Sequence, residues 1–440
     1  MRIGVFRHYG NQNLADEAIT TATIQHIKQR IPNADIVGFS VKPDDTSKRY
    51  NIVSYPIRYI KSSSASLGQN DSKPLAAKEV EGNISGVSEN PGLKEQLKKI
   101  PVLGGMLKAI GRSLELLGKW RQEIIFLVDS LRILKDVDLI IVAGSNQFLD
   151  NFGGTWGFPY TLLKWTLLCK FKGTRIAFTS IGAGPLEAPL SKLLVRIALV
   201  FSDYLSYRDI ASKKLVENTI FPINGKVFPD LAYSLLFESS EKNGNRSEGK
   251  PVVAINPMPI YDSRYWCEHD GGRYKAYVTK MSVFCSLLLK EGYPVQFFST
   301  QPTDENVIAD ILKEIDQDLP VGIDKEKLIQ RNREVAELMT YLNSVDIVIA
   351  TRLHGTILSL LADKPVLGVT YHRKSSDVLT QMEQGDYYVS LDDFDTQTLK
   401  SKFDTLIENM GAETRKISQY GKDYRTKLDE QYEEIFSIVN

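Results

Sequence analysis

The sequence predicts an α/β protein built as two parallel-sheet, Rossmann-like domains that face a cleft. Three observations lead there. Short apolar runs alternate with helical stretches, and two of them, Leu139-Ile140-Ile141-Val142 and Ile347-Val348-Ile349-Ala350, are unbroken, as strands covered on both faces are. A polar stretch at residues 238–250, ESSEKNGNRSEGK, divides the alternation in two and has the composition of a linker. The length of 440 residues, 42% hydrophobic, suffices for two or three cores of ordinary domain size.

In chain order, residues 1–237 form the N-terminal domain. It opens as a βαβ unit, with a strand Arg2 to Arg7, a turn at Gly10-Asn11, a helix Asp16 to Arg30 and a strand Asp35 to Ser40. Residues 62–95 are rich in Ser, Gly, Asn and charge and poor in aromatic and β-branched residues, which predicts a mobile insertion. An amphipathic helical region from Leu97 to Leu134, broken near Gly104-Gly105, leads into the buried strand ending at Val142. Further strands are expected at Arg175 to Ile181, Tyr204 to Tyr207 and Lys226 to Phe228, with a helix Leu190 to Phe201 between the first two. The second domain, residues 251–394, has strands at Val252 to Asn256, Val295 to Ser299, Asp346 to Ala350 and Pro365 to Thr370. Helices around Tyr274 to Lys290, Asp304 to Ile315 and Gly355 to Leu361 separate them. The charged segment 395–440 reads as helices that pack back on the first domain.

Lys+Arg and Asp+Glu both number 54, so no excess positive charge is available for phosphate neutralisation and a nucleic-acid partner is not expected. Cys169, Cys267 and Cys285 lie far apart with no CxxC spacing, which argues against a disulfide framework or a zinc site and for a reducing compartment. Met1-Arg2-Ile3-Gly4-Val5-Phe6 lacks the apolar h-region of a signal peptide, and no uncharged apolar run approaches the roughly 20 residues that span a bilayer. The expectation is a cytoplasmic protein with at most peripheral contact to the inner face of the membrane.

In open parallel sheets, ligands bind beyond the carboxyl ends of the strands, where helix N-termini offer free N–H groups. After the first strand, Asp16 and Glu17 enter a helix; capping accounts for them, and a carboxylate there also serves to accept a proton from a hydroxyl. Gly144 and Ser145 follow the strand ending at Val142, as a tight turn or as a place of close ligand approach. Arg208-Asp209 ends another strand and reads as a surface ion pair or an anion contact. The most informative stretch is Asp346 to Leu358, a buried strand that delivers Arg352 and His354 to a helix N-terminus. The next strand ends in Tyr371-His372-Arg373-Lys374. Two adjacent strand ends thus gather Arg352, His354, His372, Arg373 and Lys374, a basic concentration that suits a small, highly charged anion. The plainer reading is a capping histidine among solvated bases.

Asn11 to Ile19, the Gly144 turn, Tyr207-Arg208-Asp209, Pro229-Asp230-Leu231-Ala232, and Arg352-Leu353-His354 with Asp363-Lys364-Pro365-Val366 and Lys374 together resemble the polysaccharide pyruvyl transferase family. The family's usual Gly-Asp-Glu reads Ala15-Asp16-Glu17 here, and its glycine triplet reads Ala143-Gly144-Ser145. The resemblance implies a GT-B-like fold, that of two-domain glycosyltransferases of the B type. It also implies transfer of the pyruvyl group of phosphoenolpyruvate onto a sugar of a cell-surface polysaccharide or its lipid-linked precursor, giving a pyruvate ketal. On that basis Arg208, Arg352 and Lys374 bind the donor beside Gly144 and Ser145, since arginine forks match phosphate and carboxylate while lysine adds a point charge. His354, with an ordinary pKa near 6.5, is the general acid and Asp16 the base. No metal and no cofactor is expected besides the donor substrate. Trp156, Tyr261, Tyr265 and Trp266 are candidates to stack on the acceptor sugar.

A nucleotide-sugar glycosyltransferase of the same architecture is the competing enzyme reading. Such enzymes often place two glutamates eight positions apart after a Gly-rich turn. Glu326 and Glu334 have that spacing, but they precede the strand Asp346 to Ala350 without a glycine entry and read as a solvated helix face. A noncatalytic glycan-binding protein is the reading from another class, favoured by Ala15 and Ser145 and opposed by Arg352, His354 and Lys374.

Overall fold

A computed structural model describes residues 1–7, 13–59, 118–151, 153–220, 223–238, 249–266, 268–315 and 324–439. The Gly10-Asn11 turn, the 62–95 insertion, the Gly104-Gly105 break, residues 239–248 of the linker and Cys267 lie outside the described residues.

The first sheet consists of β1 (Arg2–Phe6), β2 (Asp35–Ser40), β3 (Val53–Pro56), β4 (Leu139–Ala143), β5 (Asn146–Phe148), β6 (Arg175–Ala183), β7 (Tyr204–Tyr207) and β8 (Lys226–Val227). Their order is β3-β2-β1-β4-β6-β7-β8, with β5 added on β6, and the pairings are parallel. β1 and β4 occupy the middle because their Ile, Val and Leu side chains are buried on both faces. The order reverses between them, and a crevice opens at such a reversal, beyond the strands' carboxyl ends. Helices α1 (Leu14–Arg30), α2 (Pro43–Tyr50), α3 (Phe158–Lys172), α4 (Pro189–Val200) and α5 (Ile210–Thr219) accompany these strands.

The second sheet repeats the plan. β9 (Val253–Asn256), β10 (Val295–Phe298), β11 (Ile329–Gln330), β12 (Ile347–Ala350), β13 (Val366–Thr370) and β14 (Tyr388–Ser390) lie in the order β11-β10-β9-β12-β13-β14, all parallel. Helices α6 (Gly271–Lys290), α7 (Asp304–Ile315), α8 (Val335–Ser344), α9 (Leu353–Leu361) and α10 (Arg373–Gln381) connect them. Glu326 and Glu334 do not share a helix face: Glu326 sits in a short 3-10 helix, Lys325–Leu328, and Glu334 is the N-cap of α8.

The segment expected to form several helices is one helix, α11 (Thr396–Ser437), 42 residues long. Asp395 caps it by accepting from the Thr398 N–H at 2.6 Å. Its first turns bury Leu399, Phe403 and Leu406 against the core of the second sheet. Further along, Ile417, Leu428, Tyr432, Ile435 and Phe436 join a core shared by residues of both sheets, among them Ile3, Val5 and Leu139 of the first and Ala254, Val348 and Ala350 of the second. Polar ties fix the far end: Arg30 donates to Asp429 at 2.7 Å and Glu433 at 2.9 Å, and Gln431 donates to the buried Ser206 hydroxyl at 2.6 Å.

Residues 58–136 form a second compact unit. In it a helix runs over residues 118–133, with Phe126, Ser130 and Leu134 buried at four-residue spacing and Trp120, Ile124, Ile125 and Val128 exposed.

Candidate functional site

The carboxyl ends of β6 and β7 and the N-termini of α9 and α10 supply the candidate residues. β7 ends at Tyr207, so Arg208 leaves the sheet at its carboxyl end, and Asp209 caps α5 through the Ser212 N–H at 2.5 Å. Arg208 is not a surface ion pair. Its side chain is buried and donates to Asp230 at 3.1 Å. Asp230 in turn accepts from the Ala232 N–H at 2.9 Å, which fixes the carboxylate that fixes the guanidinium.

Lys374 comes from the other sheet. It lies in the first turn of α10, capped by His372, whose Nδ1 accepts from the Lys374 N–H at 3.1 Å. Its ammonium donates to the Ala183 carbonyl at 2.7 Å and to Asn146 Oδ1 at 3.0 Å, at the end of β6 and the start of β5. Burial, with Arg208 nearby, pushes the Lys374 pKa down to about 8. Gly182 makes this convergence possible: a Cβ there would stand 2.6 Å from Asn146 Oδ1 and 2.9 Å from a terminal nitrogen of Arg208.

His354 occupies the first turn of α9, behind Arg352 as N-cap. Its Nε2 is buried and has no hydrogen-bond partner among the described residues. Burial pushes its pKa down to about 4; Asp230 opposes that shift while Arg208, Arg7 and Arg352 reinforce it. The ring is therefore neutral at pH 7 in the unliganded protein, which corrects the expectation of an ordinary pKa near 6.5. Ser145 Oγ, Ser375 Oγ and Asn256 Oδ1 are likewise buried without a partner among the described residues. Leaving such groups unpaired costs about 1–3 kcal/mol each, so their presence in this region favours a polar ligand.

Arg352 is neither solvated nor wholly available. Its Nε donates to Asp304 Oδ1 at 2.5 Å, and NH2 donates to Thr303 Oγ1 at 3.3 Å. Asp304 is fully buried, and its second oxygen accepts from the Thr300 and Gln301 N–H groups at 3.0 and 3.1 Å. Tyr265 lies under the guanidinium at 5.7 Å, and Trp266 packs edge-on against Tyr371 at 6.1 Å. Of the four aromatic candidates Tyr265 thus stands beside Arg352, and Trp266 packs on Tyr265 at 5.7 Å. Tyr261, with a left-handed φ of 61°, instead stacks under Arg273 at 3.8 Å, and Trp156 packs on Tyr160 at 5.4 Å. Arg373 points outward, 86% exposed, toward Asp377.

Asp16, in the first turn of α1, is held by Arg7 at 2.8 Å and by the Asn13 amide at 2.8 Å. Arg7 also donates to Thr20. Glu17 turns to Arg49 at 3.0 Å, and burial raises its pKa. Gly144 is required by strand packing, because a Cβ would fall 2.6 Å from the Ser180 carbonyl oxygen of β6. Asn146, Gly182, Asp230, Asp304 and Ser375 escape a residue-by-residue reading. Asn146 directly follows Ser145, and Asp230 falls within Pro229-Asp230-Leu231-Ala232, so the nearby motifs were the signals available. Among the described residues no group of His, Cys, Asp or Glu is arranged to hold a metal ion, and no helix is long and apolar enough to cross a membrane.

A family model described as polysaccharide pyruvyl transferase matches residues 16–373. Among solved structures, the chain is similar to a Listeria monocytogenes protein assigned as a UDP-N-acetylglucosamine 2-epimerase, at 8% identity and a TM-score of 0.53, over 95% of this chain and 90% of that one. It is also similar to HepE of Anabaena, solved in complex with UDP, at 10% identity and a TM-score of 0.51, over 99% and 100% of the two chains. At such identities the likeness is one of fold: two parallel-sheet α/β domains of the GT-B type. A comparison with curated proteins found no significant match.

Proposed function

This chain belongs to the polysaccharide pyruvyl transferase family, and from that premise we propose that it moves the pyruvyl group of phosphoenolpyruvate onto a glycan, forming a pyruvate ketal. The observation that carries the proposal is the meeting of Arg208, Lys374 and His354 among buried polar atoms that lack partners among the described residues. A donor with a phosphate and a carboxylate on three carbons suits two fixed cations and short hydroxyl donors. Arg208 is preoriented by Asp230 and Lys374 by Asn146, so little side-chain freedom remains to be lost on binding. Arg352, anchored on Asp304, adds its charge to the same field.

The reaction is an addition followed by a substitution. A proton goes to the methylene carbon of the donor, C2 becomes electrophilic, and a sugar hydroxyl bonds to it and loses its proton. A second hydroxyl then bonds to C2 and gives its proton to the phosphate, which leaves with the electron pair of the C2–O bond. No electrons are exchanged, and no metal or further cofactor enters the scheme. His354 Nε2 is the proton carrier in this reading. A dianion among Arg208, Arg352 and Lys374 favours the imidazolium, so donor binding below neutral pH takes up a proton. Asp16, bonded to Arg7 and Asn13, is the acceptor-side base, and Tyr265 and Trp266 are the aromatic faces offered to the sugar.

Calorimetric titration with phosphoenolpyruvate tests the reading. Binding is expected, accompanied by proton uptake near pH 6 when two buffers of different ionisation enthalpy are compared, and the uptake should vanish in His354→Gln. Absence of phosphoenolpyruvate binding, with tight binding of UDP instead, would return the site to the nucleotide-sugar glycosyltransferase reading.

A further inference from the structure

Helices α3 and α4 pack side by side and turn an unusual outer face to solvent. Phe171 is 78% exposed, Leu193 50% and Trp156 68%, with Leu167, Val200 and Phe201 also exposed. Large apolar side chains exposed together on a packed pair of helices mark an interaction surface. The charges on the same two helices have one sign. α3 carries Lys170 and Lys172, α4 carries Lys192 and Arg196, and neither contains an aspartate or glutamate; Lys164 of α3 is buried and takes no part in this face. In a chain with equal numbers of acidic and basic residues, that bias is local. Lys170 is engaged by Asp203 at 2.7 Å, and Lys172 is exposed beside Phe171.

An apolar face set with cations matches one surface chemistry. Aromatic and aliphatic side chains enter the boundary of the acyl region while lysine and arginine reach lipid phosphates. A second copy of this chain fits less well, because an isologous contact would set two faces whose helices carry no carboxylate against each other. We propose that the α3–α4 face docks on an anionic lipid bilayer. The docking does not rest on the donor chemistry.

Co-sedimentation of the full chain with unilamellar vesicles, of phosphatidylcholine alone or mixed with phosphatidylglycerol, tests the proposal. Binding is expected on the anionic vesicles only, weakening as salt rises. Phe171→Ser with Leu193→Ser should lower partitioning by roughly tenfold or more, and Lys172→Glu with Lys192→Glu should lower it further. Calorimetric titration with phosphoenolpyruvate separates the two readings, since these surface variants should keep the affinity of the parent protein. Three outcomes would overturn the proposal: no sedimentation with anionic vesicles at low salt, loss of binding on Trp120→Ser with Ile124→Ser but not on the face variants, or a parent dimer that Phe171→Ser dissociates.

Discussion

Arg352 and Asp304 are bound to each other in a place that water hardly reaches, and the two must be judged together. Arg352→Ala would leave a fully buried carboxylate without its counter-charge, and a loss of about 3–5 kcal/mol in urea unfolding is expected. Arg352→Lys keeps the charge but not the fork; it should cost less stability and lower phosphoenolpyruvate affinity by about 1.5–3 kcal/mol in calorimetric titration. Lys374 gives a test with two opposite signs in one pH window. Its folded pKa of about 8 lies below the ordinary lysine value, so between those limits the unfolded chain binds more protons and stability rises with pH. Over the same window the site loses a positive charge, so donor affinity should fall, and Lys374→Met should flatten both trends. His354 behaves likewise at acid pH. Its pKa of about 4 is below the ordinary value, so its contribution to stability is complete above pH 6.5 and is lost as the pH falls toward 4. His354→Gln should reduce that acid sensitivity in melting curves. Residue types at this site were legible in the sequence, because Arg352, His354 and Lys374 follow strands at their carboxyl ends. Their partners were not: Asn146 is 228 positions from Lys374 and Asp304 is 48 from Arg352, and no local pattern encodes such distances.

At the scale of elements, β6 is where packing and the site meet. Gly182→Ala would drive a methyl group into Asn146 and Arg208 together. Overpacking of this kind should cost about 1–3 kcal/mol of stability, and phosphoenolpyruvate affinity should drop with it, both measurable on one purified variant. Legibility differed by element for physical reasons. β4 and β12 are unbroken apolar runs, because helices cover both faces, and they were found from sequence alone. β3 is a short edge strand ending in proline with no fully buried residue, and β14 is a short edge strand with one, so neither has a pattern to find. α3 was missed for the opposite reason. It buries nine of its fifteen residues and exposes Leu167 and Phe171 on the remaining side, so it shows no polar stripe.

Taken whole, the shared core and α11 make the two sheets one cooperative structure. Calorimetric unfolding should show them melting in a single transition, since Val5 and Val348 belong to one buried cluster and α11 adds to both cores. Gln431→Ala should cost about 1–3 kcal/mol, because Ser206 and Ser180 are buried and lose the side chain that bonds them. The α/β plan was readable from alternation and length, whereas the single long α11 was not, its hydrophobic contacts being divided between two cores. That helix has a consequence for the birth of the protein. Gln431 is added to the chain 225 residues after Ser206. At roughly 5–20 residues per second a ribosome needs on the order of 10 to 45 s to make that stretch. Once Val227 is made the first sheet has its strands, but not yet Tyr432 or Phe436 to close its core. The nascent N-terminal half therefore waits, incompletely sealed, until translation delivers the last turns of α11.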